Sequence, residues 1–280
     1  LPVQFKSILR YSLLIFMSGT AASLILDIDK SMISNILTVE NVAYYSVAIF
    51  IAAVIEFPGR AMFQIISPLV AKALNDKDYL TMLQLLKKSA NNLLLVSGLL
   101  FLLINLNLND FYAWTNLGDY TVALEVVLIV SVGKLFTMSM GCLNNIITNS
   151  KYYAYVLWFS ISSAILAVLL NLYLLPLYGI IGAAYATLIV IVIINVLKIL
   201  LVQLKFKINP YGLKSLLTFG IIILLYLIIS KISFEFDPFM SLVLRSMLIT
   251  GAFTLLAFFF KLTADVQQFF GKILPFVKKS

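Results

Sequence analysis

The chain has no histidine and only one cysteine, Cys142, among its 280 residues. The first absence removes the commonest general base and the commonest transition-metal ligand. The second rules out a disulfide framework within one chain. Charge is scarce as well: 11% of residues are charged, against about 25% in a soluble domain. The twelve acidic residues are outnumbered by twenty basic ones, giving a net charge of +8. No linker composition marks off a second, soluble domain, and no internal repeat is evident in the sequence.

Apolar surface takes the place of what is missing. Hydrophobic residues make up 62% of the chain, and the mean hydropathy is +1.05. A water-soluble chain of this length could not hide so much in one core; lipid accepts it as solvent. In hydrocarbon every backbone donor and acceptor must be satisfied internally, which leaves helices or a closed barrel. The apolar runs are long and lack the alternation of a barrel strand. The expected fold is therefore all-α, a polytopic membrane bundle of about eight transmembrane helices. The runs cover 8–26, 42–66, 90–106, 122–140, 153–175, 180–202, 213–229 and 239–260. Each is near the ~20 residues that cross a ~30 Å hydrocarbon core. Glu56, Pro58, Gly59 and Arg60 interrupt the second run, and only Pro176, Leu177, Tyr178 and Gly179 separate the fifth from the sixth. The first run is too long for a signal peptide and lacks a small-residue cleavage site.

Basic residues orient the spans. One set of loops and tails holds fourteen of them, including Lys72, Lys77, Lys87, Lys88, Lys151, Lys205 and Lys207. The alternate loops hold only Lys30 and Lys231, beside Glu40, Asp110, Asp119, Glu235 and Asp237. The positive-inside rule puts the first set, and both ends of the chain, in the cytoplasm. The net charge then faces anionic lipid headgroups rather than nucleic acid. Two cytoplasmic stretches are amphipathic: Tyr79, Met82, Leu83 and Leu86 near 76–90, and Val266, Phe269, Phe270, Ile273 and Leu274 in the tail. Both read as helices lying in the interface plane.

Charges within the spans are costly, so each is a functional candidate. Lys134 lies about 18 Å along its helix from Val122, near mid-bilayer. It requires a partner, a water-filled cavity or an anionic ligand, unless it snorkels out of a tilted helix; Glu125 is too distant to pair with it. Glu56 and Arg60 share a helix face and can pair with each other, and Pro58 between them should kink the span. Kinked, charged spans build midplane sites in transporters. The alternative is that Arg60, about 27 Å from Val42, lies at the cytoplasmic headgroups and Glu56 answers it. Arg245 reads as an interfacial residue at the outer end of the last span. Asp27 and Asp29 form a D-x-D pair next to Lys30, which admits metal chelation if the helix has ended there. It equally admits one carboxylate pairing with Lys30 while the other faces a polar cavity. Asn144, Asn145, Asn171 and Asn195 are candidates for interhelical hydrogen bonds or for contacts with a sugar. Gly179, Gly182, Ala183, Ala184 and Ala186 give a small-residue face for close helix packing.

Three stretches resemble a known family. Val42-Ala43-Tyr44-Tyr45-Ser46-Val47-Ala48, with Pro58-Gly59-Arg60 and Ile66-Ser67-Pro68-Leu69-Val70-Ala71, is similar to the start of the second half of polysaccharide-biosynthesis (O-antigen) flippases. Gly133-Lys134-Leu135-Phe136, leading through Gly141, Asn144 and Asn145 to Ser150-Lys151-Tyr152-Tyr153, resembles the same family. So does Asn171 through Leu175-Pro176-Leu177-Tyr178-Gly179-Ile180-Ile181-Gly182-Ala183-Ala184. These packing and turn motifs cover most of the chain. They mark the superfamily of lipid-linked oligosaccharide flippases and multidrug extruders better than they mark a substrate.

The resemblance implies two six-helix lobes around a central cavity, often with two added C-terminal helices, working by alternating access. On that pattern residues 1–208 are the second lobe, 209–262 the two added helices and 263–280 a cytoplasmic amphipathic tail; the first lobe lies outside this sequence. The implied function is transport, not enzymatic catalysis. An undecaprenyl-pyrophosphate-linked oligosaccharide moves across the bacterial cytoplasmic membrane for cell-surface polysaccharide synthesis, with no cofactor or metal. Lys134, Arg60 and Lys30 would meet the pyrophosphate. Asp27, Asp29, Glu56, Asn144, Asn145 and Asn171 would be coupling or cavity polar groups. The implied partners are membrane lipid, the lipid-linked substrate, the other lobe and polysaccharide-assembly proteins. A multidrug extruder of the same superfamily would instead rely on Asp27, Asp29 and Glu56 for ion coupling. A membrane-embedded glycosyltransferase would depend on a divalent metal at Asp27.

Overall fold

The computed structural model describes residues 28–232, 234 and 236–263, together with 9, 12, 13 and 16. Most of the first expected span, Asp27 and the apolar stripe of the tail lie outside the described residues. Within them the chain is helical and no strand occurs. After a helical stretch at 28–36 come α1 (Val39–Ala53), α2 (Phe57–Asn75), α3 (Tyr79–Trp114), α4 (Leu124–Ser139), α5 (Leu143–Asn149), α6 (Ala154–Phe206), α7 (Leu213–Ile229) and α8 (Pro238–Phe259). Five helical stretches are long and apolar enough to cross a membrane: Val39–Asn75, Tyr79–Trp114, Gly118–Ser139, Ala154–Phe206 and Pro238–Phe259. Leu213–Ile229 is a shorter apolar helix. Such a set is compatible with a multi-pass membrane protein.

Each boundary has a local cause. The Thr38 hydroxyl caps α1 by accepting from the Asn41 amide, as an N-cap residue does. A 3-10 turn, Val54–Glu56, separates α1 from α2, and Pro58 occupies the first turn of α2, where its missing N–H costs nothing. The Ser97 hydroxyl of α3 donates to the Ile55 carbonyl within this turn, at 2.8 Å. The sequence break at 56–60 is thus a real interruption of the second span, stapled to α3.

Asp78 caps α3, which then runs unbroken for 36 residues, about 54 Å at 1.5 Å per residue. Residues 76–90 therefore do not form a separate interfacial helix; from Tyr79 on they are the first turns of α3. Met82, Leu86, Ala90, Leu93, Ser97 and Phe101 are buried along one stripe of α3, the spacing that keeps side chains on one face. This helix is the central post: α2, α4, α7 and α8 all pack on it.

The 53 residues of α6 are two helices, not one. Gly179 has φ +60° and ψ −143°, a conformation that is essentially glycine's alone. In a straight helix residues 171 and 187 would stand about 24 Å apart. Here Asn171 and Thr187 both bond the carboxylate of Asp29, at 2.6 and 2.9 Å. The chain reverses at Gly179 into a hairpin, so tightly that a Cβ at Gly182 would stand 2.1 Å from the Leu174 carbonyl oxygen. The division expected at Pro176–Gly179 is present, and Gly182 serves the close packing expected of it.

The buried apolar residues form one cluster around Tyr45, Tyr112, Val127 and Ala183. A second lies between α3, α7 and α8, around Leu102, Ile222 and Phe253. A third, around Met82, Leu143 and Val202, joins α2, α3, α5 and the end of α6. The outer surface is apolar as well: Phe50 is 71% exposed, Ile65 69% and Leu216 69%. Large exposed apolar faces of this kind need a non-aqueous neighbour.

Candidate functional site

The 3-10 turn aims the carboxylate of Glu56 toward α4, where the Lys134 ammonium donates to its Oε2 at 3.0 Å. The pair is largely enclosed, with side chains 14% and 23% exposed. The partner that Lys134 requires is therefore Glu56, and Arg60 is not paired with it. Arg60 instead sits over the Phe57 ring, 5.1 Å from its centroid, a cation–π contact.

Glu56 and Arg60 wall a cavity of about 290 Å³ that is completed by Thr137, Asn144, Asn195 and Lys198. The Asn195 amide donates to the Thr137 hydroxyl at 2.9 Å, which fixes α4 against the second limb of α6. Lys134 neutralises Glu56, so the cavity keeps the charges of Arg60 and Lys198. Among the described residues neither has a carboxylate partner. A cation in a low-dielectric wall attracts an anion far more strongly than one in water. Two other hollows, about 300 and 510 Å³, are lined mostly by apolar side chains; the first adds Asn107 and Ser246, and the second a tyrosine, Tyr226. Of these three hollows, the one of about 290 Å³ is lined by charged side chains, which makes it the candidate site.

Lys198 was not among the expected site residues. Its signal in the sequence was its depth: it lies seven residues inside Lys205 along an otherwise apolar run and three beyond Asn195, on the same helix face. Asn144 reaches the cavity wall. Asn145 does not line it; its carbonyl accepts from the Asn149 side chain within α5. Lys30 adjoins Asp29 and is also not among the lining residues.

The second polar cluster is centred on Asp29, which is 2% exposed. Its Oδ2 accepts from the Tyr45 hydroxyl at 3.0 Å and the Thr187 hydroxyl at 2.9 Å, and its Oδ1 from the Asn171 amide at 2.6 Å. Four helical segments meet at this one carboxylate: 28–36, α1 and both limbs of α6. All three of these donors are neutral, and the buried Oδ1 of Asn171 has no hydrogen-bond partner among the described residues. Asp29 lies within a helix and not in a loop; Asp27 falls outside the described residues.

Near the C-terminal end of α3, Arg245 of α8 pairs with Asp110. Its guanidinium also donates to the carbonyls of Leu106, at 2.8 Å, and Ile232, at 3.3 Å. This fan ties α8 and the α7–α8 loop to α3, an anchoring role beyond the interfacial one expected of it.

No family model, no curated protein and no solved structure matches the chain.

Proposed function

We propose that the chain is the second lobe, with two added C-terminal helices, of a flippase of the polysaccharide-biosynthesis (O-antigen) family. On this reading it crosses the bacterial cytoplasmic membrane eight times with both ends inside. The hairpin of α6 supplies two crossings, the stretch that includes 28–36 supplies the first, and α7 completes the set. Its substrate is an undecaprenyl-pyrophosphate-linked oligosaccharide, and a partner lobe encloses the other side of the cavity.

The observation that carries the reading is the polar cavity beside a helix break, where Arg60 and Lys198 have no carboxylate partner among the described residues. A pyrophosphate needs positive charge that is spaced rather than clamped, because the cargo has to leave again. Arg60 can present a planar fork to phosphate oxygens and Lys198 a point charge. Asn144 and Asn195 offer amides to sugar hydroxyls. Lys134 acts indirectly, by holding the charge of Glu56 away from the phosphates.

The test is complementation of a deletion strain with the complete reading frame carrying Arg60→Gln and Lys198→Gln. Loss of surface polysaccharide, with lipid-linked oligosaccharide accumulating on the cytoplasmic leaflet, supports the reading. Normal export from a variant present at wild-type level in the membrane sinks it.

The Asp29 cluster favours a second reading, an ion-coupled multidrug extruder of the same superfamily. A buried carboxylate that accepts from three neutral donors suits a coupling proton or cation. Deletion would then sensitise cells to cationic dyes and leave surface polysaccharide intact.

A further inference from the structure

At the end of the molecule where α2 stops, α3 starts, α5 stops and α6 stops, a recess of about 430 Å³ is lined by Asn75, Lys77, Tyr79, Asn149, Lys151 and Phe206. No carboxylate lines it. Lys77 adopts φ +54° in the α2–α3 turn, and among the described residues its ammonium has no partner. Lys151 and Lys205 flank the Tyr152 ring, 5.3 and 5.5 Å from its centroid. That ring meets Phe206 edge-on at 5.7 Å, and Phe206 meets Tyr79 at 6.5 Å. Lysines and tyrosines gathered where apolar helices end are the furniture of a membrane–water interface. Strongly exposed apolar side chains adjoin them in sequence, Leu80 beside Tyr79 and Leu204 two residues before Phe206.

We infer that this recess binds the headgroup of an anionic phospholipid, with the phosphate between Lys77 and Lys151, Asn75 and Asn149 on its polar edge, and the acyl chains running down the apolar surface beside Leu80 and Leu204. Basic pockets between helix ends recognise such headgroups by charge. The occupant is a bilayer lipid rather than a soluble anion, because the recess opens at the helix ends and apolar surface flanks it. The inference rests on these helices spanning a membrane and is independent of what the protein transports.

The test uses the purified chain with an equimolar mixture of phosphatidylglycerol and phosphatidylcholine, read by native mass spectrometry. One phosphatidylglycerol is expected to stay bound in preference to phosphatidylcholine. Lys77→Gln with Lys151→Gln should weaken its retention about 30-fold, from ~1 kcal/mol for each lysine. Lys77→Arg with Lys151→Arg should restore it, which separates lost charge from lost folding. Lys87→Gln with Lys214→Gln, exposed lysines outside the recess, should leave it unchanged. Equal retention of both lipids, loss only in the control pair, or displacement by millimolar inorganic phosphate would overturn the assignment.

Discussion

The Lys134 ammonium lies 3.0 Å from the Glu56 carboxylate, so a charge in the middle of α4 is matched by one at the break between α1 and α2. The two residues are 78 apart in sequence, and their pairing sets the sign of the cavity beside them. Removing one partner leaves the other enclosed and uncompensated. Glu56→Gln should destabilise the protein by roughly 2–4 kcal/mol, and Glu56→Gln with Lys134→Gln should cost less than the sum of the single changes. A thermal-unfolding double-mutant cycle in detergent checks this; additive losses would show that the pair is not coupled.

Asp29→Ala removes the acceptor for Tyr45, Thr187 and Asn171 together. At about 1 kcal/mol per hydrogen bond the loss should be roughly 3 kcal/mol. Asp29→Asn keeps an acceptor oxygen and should cost less. Unfolding midpoints of the two variants, compared with wild type, decide the order.

Gly179→Ala isolates a backbone effect, because nothing stands within 4 Å of the added Cβ. The φ of +60° alone should cost about 1–3 kcal/mol. Gly220→Ala, equally open but inside the regular α7, should be neutral or stabilising. Limited proteolysis at the hairpin reversal, alongside unfolding midpoints, separates the two.

Asp78, at the exposed N-cap of α3, is held below its ordinary 3.8 by the Thr81 hydroxyl first and the Thr81 amide second. A depressed carboxylate stabilises the folded state above its unfolded pKa, and the contribution is lost as pH falls through the folded value. The first turn of α3 should therefore loosen only below about pH 4, and Asp78→Asn should remove that dependence. Amide exchange at Thr81, corrected for intrinsic rates, measures it.

Local features were legible in the sequence. The apolar runs, the break at Glu56–Arg60 and the division before Ile180 depend on composition and on glycine and proline, which act where they stand. The uninterrupted α3 was misread as an interfacial helix followed by a span, although no glycine or proline occurs from Tyr79 to Ser97 to end its amphipathic start. Partnerships were not legible. Glu56 had Arg60 four residues away, and local spacing favoured that pair; tertiary packing brought Lys134 instead. Asp29 finds its donors 16, 142 and 158 residues downstream, distances that no periodicity reports. Lys198 was passed over because the apolar run around it reads as an ordinary span.

Those separations also fix an order of assembly during synthesis. Asp29 is translated long before the α6 hairpin exists, and Tyr45 is the first of its donors to follow. Asn171 and Thr187 arrive on two limbs joined at a single glycine, so they reach the carboxylate as one unit. Until then the carboxylate of the 28–36 helix lacks two of the three donors that meet it in the folded chain. The hairpin is thus the keystone of this cluster: the 28–36 helix gains its full set of donors only when both limbs of α6 are in place.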